Sequence, residues 1–130
     1  MFTIEQVKAA HSKVKSGADF PNYVQEIIKL GVKSYETYVT DGHTDYCADN
    51  NYAVSSAAKY AAMVIADENN TTLFKRELKA HQRGETDYMA FCKICADTGV
   101  EKWVVNMTAM TCTYFNKVGH EILVEIIPTA

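Results

Sequence analysis

One stretch of this chain is written twice, and that constrains its fold more than any other feature. Asp19–Val54 lies on Asp87–Ile122 without a gap, at a constant offset of 68 residues (87 minus 19). Asp19 falls on Asp87, Phe20 on Tyr88, Tyr23 on Phe91, Gly31 on Gly99, Val32 on Val100, Tyr35 on Trp103 and Tyr46 on Tyr114. Five of the thirty-six pairs are identical, Thr40 on Thr108 among them, so the match lies mainly in residue class and stop signals. After a two-residue shift, Ala10-His11 also falls on Ala80-His81. The plain alternative is a chain whose halves look alike by chance.

Each copy reads as helix, helix, hairpin. Thr3 with Gln6 is a capping-box pattern, and Ile4, Val7, His11 and Val14 recur at helical spacing until Lys15-Ser16-Gly17. A second helix follows Asp19-Phe20-Pro21, carries Tyr23, Val24, Ile27 and Leu30 on one stripe, and stops at Gly31. Val32–Thr40 reads as a strand, Asp41-Gly42 as its turn, His43–Ala48 as the return strand and Asp49-Asn50-Asn51 as another turn. In the second half a helix starts at Thr72 with Phe74, Leu78 and His81 on one face, and another starts after Asp87. Strands are expected at Glu101–Met107, Thr111–Asn116 and Glu121–Ile127. Ala57–Ala66 has no counterpart. Ala58–Ala62 is expected to be a connector and Met63-Val64-Ile65 a short added strand.

A helix–helix–hairpin unit cannot cover its own sheet, but two copies can share one. The expectation is an α+β fold with one mainly antiparallel sheet and the helices packed on one face. Residues 1–130 then form a single domain, with repeats at about 3–54 and 71–127 and a connector with its added strand at 55–67. A chain of 130 residues, 48% of them hydrophobic, supports one core of this kind.

Composition narrows the function classes. A net charge of −3 argues against nucleic acid as a partner. The longest apolar run, Ala61–Ala66, is far too short to span a membrane, and no secretory leader is legible, so the expected location is the cytoplasm. Reduced thiols are expected there. Cys92 and Cys95 form a CxxC pair, but they fall inside a helix on its apolar side, at the places of Val24 and Ile27, while Cys47 matches Phe115. Buried cysteine behaves as a small hydrophobe, and Cys47 and Cys112 supply no second close pair for zinc.

No catalytic residue, metal set or cofactor motif is legible. His11 and His81 occupy equivalent places on apolar stripes. The plain reading is two satisfied core histidines; the functional one is a pH-sensitive pair brought together at the junction of the repeats. Asp41, His43 and Asp45 gather around the hairpin turn without the spacing of a calcium loop. If Tyr35, Trp103, Val105 and Met107 face the helices, then Ser34, Glu36, Tyr38, Lys102, Val104 and Asn106 face away. Glu36, Tyr38, Lys102 and Asn106 are the candidate binding surface, with Tyr38 as anchor.

Phe2–Val14, Gly31–Tyr38, Asp41-Gly42-His43-Thr44 and Gly99–Val105 carry a further likeness. Over nearly its whole length the chain resembles the YdfO-like (YbcV-like) family of small prophage-associated bacterial proteins, sometimes labelled phage envelope protein. The resemblance implies an α+β fold and prophage ancestry. It brings no activity, cofactor or site residue. A glycine-containing turn is expected from it where this chain has Ala48-Asp49-Asn50-Asn51.

The expected function is a small binding or regulatory module that takes a protein or a small ligand, through the open sheet face or by self-association as a homodimer. One alternative is an enzyme using His11, His81 or the Asp41–Asp45 hairpin in a cleft between the repeats, for which a deep pocket would be the sign. The other is a phage structural component.

Overall fold

A computed structural model describes residues 2–14, 19–49 and 51–127. The expected stop at Lys15-Ser16-Gly17 and the centre of the Asp49-Asn50-Asn51 turn lie outside those residues. The chain order is α1 (Ile4–His11), α2 (Phe20–Leu30), β1 (Ser34–Tyr38), β2 (Thr44–Cys47), β3 (Ala53–Ser55), α3 (Thr71–Gln82), α4 (Tyr88–Asp97), β4 (Lys102–Asn106), β5 (Thr111–Phe115) and β6 (Glu121–Ile126). Both halves thus run helix, helix, strand, strand, strand. The fold is α+β. The six strands form one sheet in the order β3-β2-β1-β4-β5-β6, antiparallel at every pairing.

Local chemistry explains the helix ends. Thr3 and Gln6 make the reciprocal capping box of α1, with Gln6 N donating to Thr3 Oγ1 at 3.2 Å and Thr3 N to Gln6 Oε1 at 2.8 Å. Asn70 and Asp87 cap α3 and α4 by accepting from Leu73 N and Ala90 N. The second helix of each half ends on a glycine in the left-handed region, Gly31 at φ +107° and Gly99 at φ +89°. The following valine closes the turn in both, Val32 N on Ile27 O at 3.1 Å and Val100 N on Cys95 O at 2.8 Å.

The 68-residue offset also relates bonds across the sheet. Lys33 N donates to Cys47 O and Glu101 N to Phe115 O, both at 2.8 Å. At the junction of the halves, β1 pairs with β4 so that Glu36 faces Val104, the residue that the offset assigns to it. On either side of that pair Val39 N donates to Glu101 O and Met107 N to Lys33 O.

The core lies between the helices and one face of the sheet. Val7, Val24, Ile27, Phe74, Cys92 and Cys95 are buried against Tyr35, Tyr46, Trp103, Val105, Cys112 and Tyr114. None of the helices described is long and apolar enough to cross a membrane.

Two expectations are corrected. Met63-Val64-Ile65 is not a strand. Val64 is exposed, whereas Ile65 is buried in the core as a plug. The third strand of the first half is β3, three residues earlier than the connector and paired to β2. Residues 56–70 are instead fastened as an irregular strap: Lys59 N donates to Asp41 O, Met63 N to Thr40 O, Ala66 N to Ala96 O and Asn70 N to Thr98 O. Cys47, matched to Phe115 as a packing residue, lies beside Ser34 on the face away from the helices and is only partly buried.

Cys92, Cys95 and Cys112 are buried free thiols. Burial pushes all three thiols up, Cys112 to about 12, so thiolate is disfavoured at each. Cys95→Ser places a hydroxyl in the same apolar site and should cost about 1–3 kcal/mol, measured by urea denaturation.

Candidate functional site

The helices stay in their own pairs, α1 against α2 and α3 against α4. Between the two pairs a cleft of about 640 Å³ opens over the sheet. Its floor takes inward residues from five strands: Tyr46 and Thr44 on β2, Tyr35 and Thr37 on β1, Trp103 and Val105 on β4, Cys112 and Tyr114 on β5, and Glu125 on β6. One wall carries His11, Phe20 and Tyr23. The other carries Leu78, His81, Tyr88 and Phe91, and Lys59 from the strap lines the cleft as well. The lining is dominated by aromatic rings, with Trp103 within 6.4 Å, centroid to centroid, of Tyr88, Phe91 and Tyr114.

His11 and His81 both line this cleft, and neither is a sealed core histidine. His11 is exposed by area, yet it is crowded by the elements around it and packs edge-on against Tyr23 at 5.3 Å. Burial, and then the nearby Lys59 ammonium, holds its imidazole below the ordinary value. His81 stacks on Phe91 at 4.4 Å. Its Nδ1 lies 3.2 Å from the Thr86 carbonyl, which can only accept, so Nδ1 carries the hydrogen. Burial lowers this imidazole as well, against the opposing pull of the Thr86 bond and Asp87. No hydrogen bond or ring contact joins the two histidines among the described residues. Neither is bonded to a carboxylate there: Asp87 caps Ala90 N at 2.7 Å, and Glu125 accepts from Gln82 Nε2 at 2.8 Å.

On the opposite face of the sheet, most of the other predicted residues fall into one polar cluster. Tyr38 donates to Glu36 Oε2 at 2.7 Å, a bond that pushes its phenol up to about 12. Lys102 sits 3.7 Å from Glu36 Oε1 and lies over the rings of Tyr38 and Phe115. His43 stacks on Tyr38 at 4.5 Å, with its Nδ1 2.5 Å from Asp41 Oδ1. Hydrogen bonds from His43 hold the Asp41 carboxyl below its usual range. Asp45 accepts from Ser55 across the β2–β3 pair. Asn106 stands apart from the cluster: its Oδ1 accepts from Thr108 N and Ala109 N, and so fastens the β4–β5 turn. No group of three or more metal-ligating side chains assembles among the described residues.

The sequence of both faces belongs to a wider group. The family described as Protein of unknown function (DUF1398) matches residues 8–126, which take in nearly all of the cleft and the whole open-face cluster. The chain belongs to that family. No curated protein matches it.

The cleft of this DUF1398 chain contains residues that sequence reasoning passed over. Lys59 lay in a segment read as a bare connector. Glu125 carried a usable signal: β6 alternates in the inverted sense, with Val124 and Ile126 exposed and the carboxylate turned inward opposite Cys112. The two lowered histidines give the DUF1398 chain a stability that depends on pH. A histidine whose folded value lies below its unfolded one of about 6.5 takes up protons preferentially when unfolded, so its contribution is present above that value and is lost as pH falls through it. Tm should drop between about pH 7 and about pH 5, and the drop should shrink in a His11→Gln, His81→Gln double variant.

Proposed function

We propose that this protein is a small-ligand-binding module, and that the ligand occupies the cleft between the two helix pairs. The observation that carries this reading is the cleft floor. Trp103, Tyr35, Tyr46 and Tyr114 offer flat apolar surface, with a few polar groups at the edges, over a volume suited to a molecule of several rings. The halves are best regarded as copies of one unit, with the cleft at their junction. The YdfO-like resemblance of residues 31–38 and 99–105 supports a prophage origin.

Catalysis is the weaker reading. A base and nucleophile need a hydrogen bond between them and a group that orients the base. His81 spends Nδ1 on Thr86, and the cleft carboxylates are engaged by Ala90 and Gln82. The open face has its own polar cluster, but Tyr38, Glu36 and Lys102 already satisfy one another, which weakens Tyr38 as a docking anchor.

The chain has a single tryptophan, and it lies in the cleft floor, so its emission reports on occupancy. In a thermal-shift screen of aromatic and apolar metabolites, hits that raise Tm should also change Trp103 emission. Hits that leave this emission unchanged and disappear in Tyr38→Ala would move binding to the open face and end the cleft reading.

A further inference from the structure

We infer that the ligand of this cleft carries an acidic group, held at one end by Lys59 beside His11. This deepens the reading just given and rests on it. Lys59 is fixed at the cleft by its own backbone, since its N–H donates to the Asp41 carbonyl at 2.8 Å. Its ammonium lies 5.3 Å from the centre of the Tyr88 ring, which is itself part of the cleft wall. Among the described residues it makes no ion pair, and unlike the exposed lysines it is held in the cleft lining.

Burial lowers the Lys59 ammonium, with Cys92 opposing and Lys8 adding to the effect, and Lys59 in turn lowers His11; none of these influences is a carboxylate. The acids of the cleft are Glu125, bonded to Gln82, and Asp87, bonded to the α4 N-terminus. The apolar floor is therefore bordered at one end by a cation without a counter-charge, next to an imidazole that an anion would favour protonating. Such an end prefers an anionic ligand group, because the charge–charge hydrogen bond forms where water is partly excluded. A flat ring over Trp103 with an acidic substituent toward Lys59 satisfies both parts of the site.

The test uses two fluorophores that differ in one group. 8-Anilino-1-naphthalenesulfonate has a sulfonate, and N-phenyl-1-naphthylamine is the same ring system without it. Each is titrated into the folded protein while Trp103 quenching is followed. The sulfonate should bind more tightly. Lys59→Gln should weaken it about five- to tenfold and leave the neutral probe within about twofold, whereas Lys59→Arg should retain the preference. Should Lys59→Gln fail to fold, the unaltered protein still decides. Raising salt from about 0.05 M to about 0.5 M should weaken the sulfonate and spare the neutral probe. Equal or tighter binding of the neutral probe, or a sulfonate preference that survives both Lys59→Gln and salt, overturns the acidic-group inference and leaves the cleft reading in place. If neither probe quenches Trp103, both fall together.

Discussion

Gly99→Ala should cost about 2–4 kcal/mol, several times the effect of the same change at the matching Gly31. Both glycines sit at positive φ, so each alanine pays the left-handed strain of about 1 kcal/mol. The difference lies in what a Cβ would meet. At Gly31 the nearest atom is Phe2 Cδ1 at 4.0 Å, ordinary contact. At Gly99 a Cβ would stand 2.3 Å from Asn69 Nδ2 and 2.7 Å from the Glu68 carbonyl oxygen. The amide could swing away only by giving up its bond to the Gly99 carbonyl, and the carbonyl belongs to backbone that the Asn70 N bond to Thr98 O holds in place. Urea denaturation of the two single variants measures the contrast. Equal losses would mean that the strap over Gly99 yields, and that its bonds contribute little.

That strap is also where sequence reading reached its limit. The helices, their caps and the central strands were legible because each rests on a local rule: Thr3 and Gln6 three apart, Pro21 in a first turn, glycine after an apolar stripe, alternation from Ser34 to Tyr38. The inward set Tyr35, Trp103, Val105 and Met107 follows from the same alternation. Ala53-Val54-Ser55 carries almost no strand signal in three residues, whereas Met63-Val64-Ile65 carries a strong one. Pairing to β2 decides for the former, and Ile65 contributes by burial alone. Cys47 was read as a packing residue because residue class at a matched position says nothing of depth; its counterpart Phe115 shares the outer face and is likewise only partly buried. A cleft between the repeats was legible as a place, through His11 and His81, but its size and aromatic lining were not. Its size depends on how far apart two helix pairs settle, which is a tertiary distance. His11 was legible as an equivalent of His81 but not as a rim residue, since the neighbour that would have covered it is the empty space of the cleft.

Phe74→Ala should be the most damaging truncation, at about 3–5 kcal/mol, and Trp103→Ala should cost less despite the larger side chain. Phe74 is wholly buried, 5.0 Å from Tyr114 and 6.3 Å from Phe91, centroid to centroid, so its removal leaves a closed void. The cost is then the lost transfer free energy and the cavity together. Trp103 lies in the cleft floor, and the space left by its indole joins the cleft instead of forming a closed void. Only the transfer and ring-contact part is lost, so about 2–3 kcal/mol is expected. Chemical denaturation followed by far-UV circular dichroism compares the two without relying on the tryptophan that one variant lacks. Should Trp103→Ala prove the costlier, the two helix pairs close over the sheet in solution, and the indole is enclosed as fully as Phe74. Saturation with a cleft ligand gives the complementary sign: it should stabilise the unaltered protein and Phe74→Ala by similar amounts, but Trp103→Ala by less, because the ring that the ligand covers is gone.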